Sequence, residues 1–434
     1  MKKKTPGEIL SEYVPKPPSR FAWGILKALL TLMSAGKKPK YTYLFDRREL
    51  KGKPVMILAD HASTDSYIYA LLGSSSFRPN VVVGYHNVFR KGLFRLFLAA
   101  GVIPKRLYTP DFSTAVSILR LKKKGASFLL FPEGIQSMAG TTMPTDPATM
   151  ALLKKLGLTT LLCRGYGAYL NRPRFDSSYR KGPMEFVFDV LFTEEEISTL
   201  TPEEMYAKYL PRFSYNDFEW NREKKYEYKG RHENAYGLDK ILFVCPFCKG
   251  RFTLKTEGAD LVCSCGNRVR VNRDYSLEPV GSSTLPFPGI DGWFLYQRAL
   301  VRGDVSREDF SVSYGAEYQT LDEERLGNDR MISLGKGTVT VDRDKIRYEG
   351  TVRGEDKTID LPVSLIPSAP FVSGRANEFF IDKNYYRFVP ENDPKISVYV
   401  LLAVEELHNL ADPDRRRVSE DVYGNEIIYT EERI

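Results

Sequence analysis

The sequence predicts an α/β fold with a central, mostly parallel sheet, followed by a small zinc ribbon and a C-terminal antiparallel β domain with a final helix. Three observations predict it. Residues 42–190 alternate short apolar runs with helical patterns, four cysteines lie close together after residue 240, and strands of alternating polarity follow. The first pattern is typical of parallel sheets and the last of half-buried antiparallel sheets. We expect three units, at residues 1–240, 241–278 and 291–434.

The charge of the chain is distributed unevenly. The net charge is +8, but residues 1–130 carry 23 Lys and Arg against 7 Asp and Glu, whereas residues 241–434 carry 25 against 32. A basic first third predicts an anionic surface or ligand at that end, and anionic lipid and nucleic acid are both candidates. A chain that is 42% apolar and 27% charged is not globally disordered.

Residues 21–35 form the longest apolar stretch. As a helix this stretch is about 22 Å long, less than the roughly 30 Å hydrocarbon core of a bilayer, and Lys27 interrupts it. We therefore expect an interfacial helix, with the cations Lys37, Lys38 and Lys40 just behind it. An ordinary helix packed on the domain is the alternative.

Each element of the first unit has its own local pattern. Apolar runs predict strands at 55–59, 81–83, 127–131, 158–163 and 185–190, and helical periodicity predicts helices at 66–72, 112–124 and 150–155. Ser63 or Thr64 is the expected N-cap of the first of these helices. Cations at the end of helix 112–124 and Gly125 behind it suit a helix C-terminus.

Two motifs follow strands at the edge where such sheets bind ligands. His-Ala-Ser-Thr-Asp at 61–65 follows one strand, and Phe-Pro-Glu-Gly at 131–134 ends another. The chain has only four histidines, and His61 lies near Asp65 at a strand-to-helix junction. This is how a general base and its orienting carboxylate would be placed.

Three segments carry a family resemblance. In order they are His-Ala-Ser-Thr-Asp at 61–65, Gly-Val-Ile-Pro-Lys-Arg at 101–106 and Phe-Pro-Glu-Gly-Ile-Gln-Ser at 131–137. They resemble the first three sequence blocks of the glycerolipid acyltransferase family, and in particular of the bacterial 1-acyl-glycerol-3-phosphate acyltransferases. We refer to them as the first, second and third blocks.

The resemblance implies O-acyl transfer from acyl-carrier protein or acyl-coenzyme A to a lysophospholipid, 1-acyl-glycerol-3-phosphate, giving phosphatidate. His61 would be the general base, and Asp65 would fix its tautomer. The implied substrate-binding residues are Lys105, Arg106, Glu133, Gly134 and Ser137. The implied location is the cytoplasmic face of the cell membrane, as a peripheral or monotopic protein. A segment at 89–98 that mixes Phe and Leu with cations is either membrane-facing or an ordinary amphipathic helix.

The blocks depart from the family pattern in two places. Three residues separate His61 from Asp65, where the family has four; positions i and i+4 of a helix share a face, so the pair can still meet. Ile135-Gln136 replaces Thr-Arg, and Arg164 is a candidate for the missing cation. These departures leave two alternatives open, acyl transfer to another acceptor and an inactivated fold that binds lipid as a scaffold.

Four cysteines predict a structural metal site. Their positions, Cys245, Cys248, Cys263 and Cys265, form two short knuckles that suit tetrahedral zinc, and four thiolates leave no open position for catalysis. Redox-active thiols are the alternative. Few cations and no aromatic stripe accompany the cluster, so no nucleic acid is expected as a partner.

The last unit shows a series of alternating strands and then a helix at about 394–411. This order resembles a pleckstrin-homology-like module. Its acidity argues against direct contact with anionic lipid, which leaves regulation, protein contact or a structural extension.

Overall fold

The computed structural model describes residues 4–107, 109, 112–327, 331–372 and 374–411. It contains a seven-stranded sheet, a four-stranded sheet and a second seven-stranded sheet, in chain order. The mixed α/β class, with a mostly parallel sheet followed by separate antiparallel sheets, is therefore confirmed. The unit boundaries stay predictions, and residues 412–434 of the last unit lie outside the described residues.

The first sheet has the order β1-β7-β6-β2-β5-β3-β4. The strands are β1 (Lys40–Tyr43), β2 (Met56–Ala59), β3 (Asn80–Gly84), β4 (Ile103–Lys105), β5 (Phe128–Leu130), β6 (Thr160–Tyr166) and β7 (Glu185–Phe192). Strands β6, β2, β5, β3 and β4 run parallel, and β7 is antiparallel to β6. All four residues of β2 are buried, as expected for a central strand covered on both faces.

Ten helices accompany this sheet in the described residues. They are α1 (Pro6–Glu12), α2 (Arg20–Met33), α3 (Ser66–Gly73), α4 (Phe94–Ala99), α5 (Phe112–Lys122), α6 (Ala148–Leu156), α7 (Ala168–Asn171), α8 (Glu194–Thr199), α9 (Pro202–Phe213) and α10 (Asp217–Lys224). Thr193 and Thr201 form capping boxes that start α8 and α9, because each side chain accepts from the backbone of a glutamate three residues on. The left-handed Gly157 ends α6.

The cysteine-bearing segment folds as an antiparallel sheet of order β11-β10-β9-β8. The strands are β8 (Leu254–Glu257), β9 (Asp260–Cys263), β10 (Arg268–Val271) and β11 (Leu277–Pro279). Asp260 lies between Arg268 and Arg270 of the neighbouring strand, with a closest N–O distance of 2.9 Å to each.

The second seven-stranded sheet is antiparallel, with the order β15-β14-β13-β12-β18-β17-β16. Helix α11 (Ile290–Val305) precedes it and α12 (Ile396–Ala411) follows. The strands are β12 (Ser311–Leu321), β13 (Met331–Asp342), β14 (Lys345–Val352), β15 (Glu355–Pro362), β16 (Phe371–Val372), β17 (Ala376–Ile381) and β18 (Asn384–Pro390). The expected antiparallel strands and final helix are present, and the pleckstrin-homology-like assignment stays a prediction.

The second sheet packs on the segment after β3. Phe89 and Phe94 are buried in one apolar cluster with Phe380 and Tyr385 of the C-terminal sheet. In the same contact, His86 Nε2 lies 3.4 Å from a carboxylate oxygen of Glu378. The hypothesis of a membrane-facing segment at 89–98 is therefore wrong for Phe89 and Phe94, because the C-terminal sheet covers them.

Candidate active site and metal centre

The first and third blocks lie side by side because β2 and β5 are adjacent parallel strands. Their loops leave the same edge of the sheet, and two hydrogen bonds of the His61 backbone help to connect them. The His61 N–H donates to Glu133 Oε2 over 2.6 Å, and the Ser137 N–H donates to the His61 carbonyl over 3.0 Å. The structure thus brings together the two segments that the sequence singled out.

Glu133 is buried and faces inward. Besides the His61 N–H, its carboxylate accepts the Met143 N–H over 2.6 Å and the Tyr215 hydroxyl over 3.1 Å. Burial raises the pKa of Glu133 to about 8, and the backbone N–H donors partly offset that rise. Its oxygens hold the two loops together, and the substrate-binding role of Glu133 stays a prediction.

The His61 imidazole is held as a neutral ring at the edge of the sheet. Its Nδ1 lies 3.2 Å from the Ser63 carbonyl, so a proton on Nδ1 leaves Nε2 as the basic nitrogen. The ring packs on Phe131, with 4.9 Å between centroids. Burial and the positive charge of Arg174 lower the pKa of His61 to about 4, against the effect of the Ser63 carbonyl.

Asp65 does not orient His61 in this structure. Its carboxylate pairs with Arg172 Nη1 at 2.6 Å and Lys37 Nζ at 2.8 Å, and among the described residues no hydrogen bond joins it to His61. His61 and Asp65 do not share a helix face, because α3 begins only at Ser66. Its N-cap is Asp65, and not Ser63 or Thr64 as expected. The residues at 61–65 therefore precede the helix, and the Ser63 carbonyl takes the orienting role.

The second block lies further along the sheet. It forms β4 at the sheet edge, three strand spacings from β2, or about 14 Å at the backbone. Lys105 Nζ lies 3.5 Å from the Thr109 carbonyl, and the Arg106 guanidinium stacks 4.4 Å from the Tyr85 ring centroid. The phosphate-binding role of Lys105 and Arg106 stays a prediction.

Two further predicted residues have structural partners. The buried Ser137 hydroxyl donates to the Thr141 carbonyl over 2.6 Å. Gly134 has a φ of +70° and its N–H closes a turn on the Phe131 carbonyl. The substrate-binding roles of Ser137 and Gly134 stay predictions.

Arg164 belongs to β6, the strand that pairs with β2. Its guanidinium is 5.3 Å from the Tyr166 ring centroid. Burial raises the pKa of Asp60 to about 7, while the Gly165 N–H and the Arg164 charge counter that rise. Its role as the replacement cation of the third block stays a prediction.

The sequence analysis missed Gln136 and Arg174. Gln136 Oε1 accepts from the Thr64 hydroxyl over 2.8 Å and from Arg174 Nη1 over 2.9 Å. Arg174 also donates to the Phe371 carbonyl in β16 of the C-terminal sheet. One signal was available in the sequence, namely two arginines flanking Pro173 after the strand that carries Arg164.

The four cysteines converge on one point. All four Sγ atoms lie within 4.8 Å of one another, with Cys245 and Cys265 at 3.9 Å and Cys248 and Cys263 at 3.7 Å. Tetrahedral zinc with Zn–S bonds of about 2.3 Å requires S–S separations of about 3.8 Å. The cluster is therefore compatible with zinc.

No protein-family model and no curated protein sequence matches the chain. Among solved structures, it is similar to the 1-acyl-sn-glycerophosphate (LPA) acyltransferase PlsC from Thermotoga maritima, with a TM-score of 0.37 and 13% identity. The match covers 43% of this chain and 74% of that chain. Among the described residues, no helix has both the length and the apolar character that a bilayer crossing requires.

Proposed function

We propose that this protein is an O-acyltransferase that transfers a fatty acyl group from an acyl thioester to the free hydroxyl of 1-acyl-glycerol-3-phosphate, giving phosphatidate. The observation that carries the proposal is the neutral His61 imidazole, fixed through Nδ1 at the carboxyl end of a central parallel strand and bonded through its backbone to the third block. The order of the three blocks supports the choice of acceptor.

The chemistry requires a base for a weak nucleophile. Nε2 of His61 accepts the proton of the acceptor hydroxyl as its oxygen attacks the thioester carbonyl, and the imidazolium then protonates the departing thiolate. A positioned base of this kind contributes about 10²–10⁴-fold to the rate. The Lys105 and Arg106 side chains are the proposed binding site for the acceptor phosphate.

We also propose that helix α2 binds the anionic cytoplasmic membrane surface. Trp23 and Leu30 on one face pack on the domain, while Phe21 and Leu32 on the opposite face are 80% and 73% exposed. The basic first third of the chain adds attraction to anionic lipid. In sedimentation with phosphatidylglycerol vesicles, the wild type and the control Leu365→Ser should pellet with the vesicles. A Phe21→Ser/Leu32→Ser double variant should stay in the supernatant. Equal binding by all three would contradict this role of α2.

We propose that the four clustered cysteines, Cys245, Cys248, Cys263 and Cys265, hold a structural zinc ion. The four thiolates would fill a tetrahedral shell, so the ion would join the strands of the ribbon and take no part in acyl transfer.

A second candidate is a lipid-binding scaffold without turnover. It is favoured by one observation: the Asp65 carboxylate is bonded to Arg172 and Lys37 and is not directed at His61. The two candidates differ in product formation. Purified protein incubated with lysophosphatidate and either acyl-coenzyme A or acyl-carrier protein should form phosphatidate, detected by lipid mass spectrometry. Lipid binding without product from either donor would favour the scaffold and reject the enzyme.

A further inference from the structure

Arg174 stands between the candidate base and the C-terminal sheet. Its Nη1 donates to Gln136 Oε1 over 2.9 Å, and its second terminal nitrogen donates to the Phe371 carbonyl. Gln136 belongs to the third block and accepts also from Thr64 of the first block. One guanidinium therefore links the loops of the candidate site to a strand about two hundred residues later in the sequence.

The charge of Arg174 also acts on the imidazole. Arg174 is the one charged group among the causes that lower the pKa of His61, after burial itself. The other ionisable groups of the neighbouring elements have partners of their own. Asp65 pairs with Lys37 and Arg172, and the Glu133 carboxylate bonds the His61 backbone.

Asp60, on the strand side of His61, is the remaining neighbouring carboxylate. It is buried, and its Oδ2 accepts the Gly165 N–H over 2.6 Å. None of these three carboxylates forms a hydrogen bond with the His61 ring among the described residues, and none is among the causes that shift the pKa of His61.

We propose that Arg174 is a positioning residue for the loops that carry His61. Through Gln136 it links the third block, and with it Thr64 of the first block, to the C-terminal sheet, and it adds a positive charge to this part of the site. The proposal deepens the proposed function and rests on it for its consequence in catalysis. A charge at this position favours the unprotonated, base-competent form of the ring, in addition to burial, which is the larger cause. Arg174 also gives the C-terminal sheet a role in the site, because the Phe371 carbonyl accepts a hydrogen bond from its second terminal nitrogen.

The test measures the His61 proton directly and needs no substrate. Protein labelled with ¹³C-histidine has only four histidine signals, and His61→Gln identifies the one from His61. Arg174→Met should raise the titration midpoint of His61 by roughly 0.5–1 pH unit, because a nearby cation is removed. Arg174→Lys, which keeps the charge, should leave the midpoint close to the wild-type value. The exposed Arg307→Met serves as the control variant.

Activity gives the second measurement. Arg174→Lys should lower kcat more than it raises KM, because an ammonium group cannot reach Gln136 and the Phe371 carbonyl together. An unchanged His61 midpoint in Arg174→Met overturns the proposal, whatever the activity. If Arg174→Met does not fold, Arg174→Gln, which also lacks the charge, takes its place. A raised midpoint in a protein without acyl transfer would leave the proposal standing and reject the proposed function.

Discussion

Two groups of buried acidic side chains, one in each half of the molecule, have different surroundings. In the first group, Asp60, Glu133 and Asp217 accept hydrogen bonds from the backbone N–H groups of Gly165, His61 and Tyr169, respectively. Burial raises the pKa of Asp60 to about 7 and those of Glu133 and Asp217 to about 8.

In the C-terminal half, buried acids are paired with arginines. Arg298 Nε lies 2.6 Å from Glu406, which also pairs with Arg302 at 2.8 Å, and Arg298 Nη1 lies 2.9 Å from Glu405. Burial alone would raise the pKa of Glu406, but the two arginines outweigh it and lower that pKa.

The difference separates carboxylates that destabilise the fold when ionised from carboxylates that stabilise it. Carboxylates that are desolvated and held by backbone donors are unfavourable when ionised, and such groups cluster at functional sites. Carboxylates paired with arginine are typical of structural networks, where removing one partner is costly. The raised carboxyl pKa values therefore favour a functional site at the edge of the first sheet. The arginine-paired carboxylates indicate a structural role for the network in the C-terminal half.

The largest effect is expected at the metal cluster of the C-terminal half. Structural zinc contributes about 10–16 kcal/mol of apparent binding free energy in isolated zinc-finger peptides, so its loss should unfold the ribbon. We expect about one zinc per chain by elemental analysis, and rapid proteolysis within the ribbon after chelation. Cys263→Ser should lose the metal, whereas the control Cys163→Ala, in the core of the first sheet, should keep it. A ribbon that resists proteolysis without metal would contradict the assignment.

A smaller effect is expected at the buried ion pairs. Arg298→Met leaves Glu405 and Glu406 without their main buried cation, and the free energy of unfolding should fall by about 3–5 kcal/mol. Arg307→Met removes an exposed pair with Asp309 and should cost at most about 1 kcal/mol. Urea denaturation measures both. Similar losses in the two variants would show that the pairs around Arg298 are not structural.

The pH dependence of stability tests the first sheet. The pKa values of Glu133 and Asp217 are raised on folding, so their stabilising contribution is complete below the unfolded-state pKa and is lost as pH rises towards about 8. The free energy of unfolding should therefore fall between about pH 4.5 and pH 8. The lowered pKa of His61 opposes this fall up to about pH 7, so the decline is clearest between about pH 7 and pH 8.

Asp217→Asn provides the matched variant for that measurement. It removes one of the raised groups, so the decline with pH should become shallower by up to about 1.4 kcal/mol per pH unit. An identical pH dependence in wild type and Asp217→Asn would show that this carboxyl is not held in its neutral form.

Local patterns predicted most of the fold and the clustering of the four cysteines. The apolar run at 55–59 and the paired cysteines are recognisable from short stretches of sequence. Their signals are the polarity and the spacing of residues close together in the chain. The site was harder to predict. The orientation of Glu133 depends on Met143 and Tyr215, and Arg174 lies 38 residues from Gln136 and 197 from Phe371. One sequence without an alignment contains no signal for contacts at those separations.

The most direct measurement of the central claim is kcat/KM for acyl transfer to lysophosphatidate by wild type and His61→Gln. The control His232→Gln changes a histidine that lies beside Asp176, outside the candidate site. If His61 is the general base, His61→Gln should lose about 10²–10⁴-fold in kcat/KM with its fold intact, and His232→Gln should stay near the wild-type value. Equal kcat/KM in wild type and His61→Gln would contradict the account.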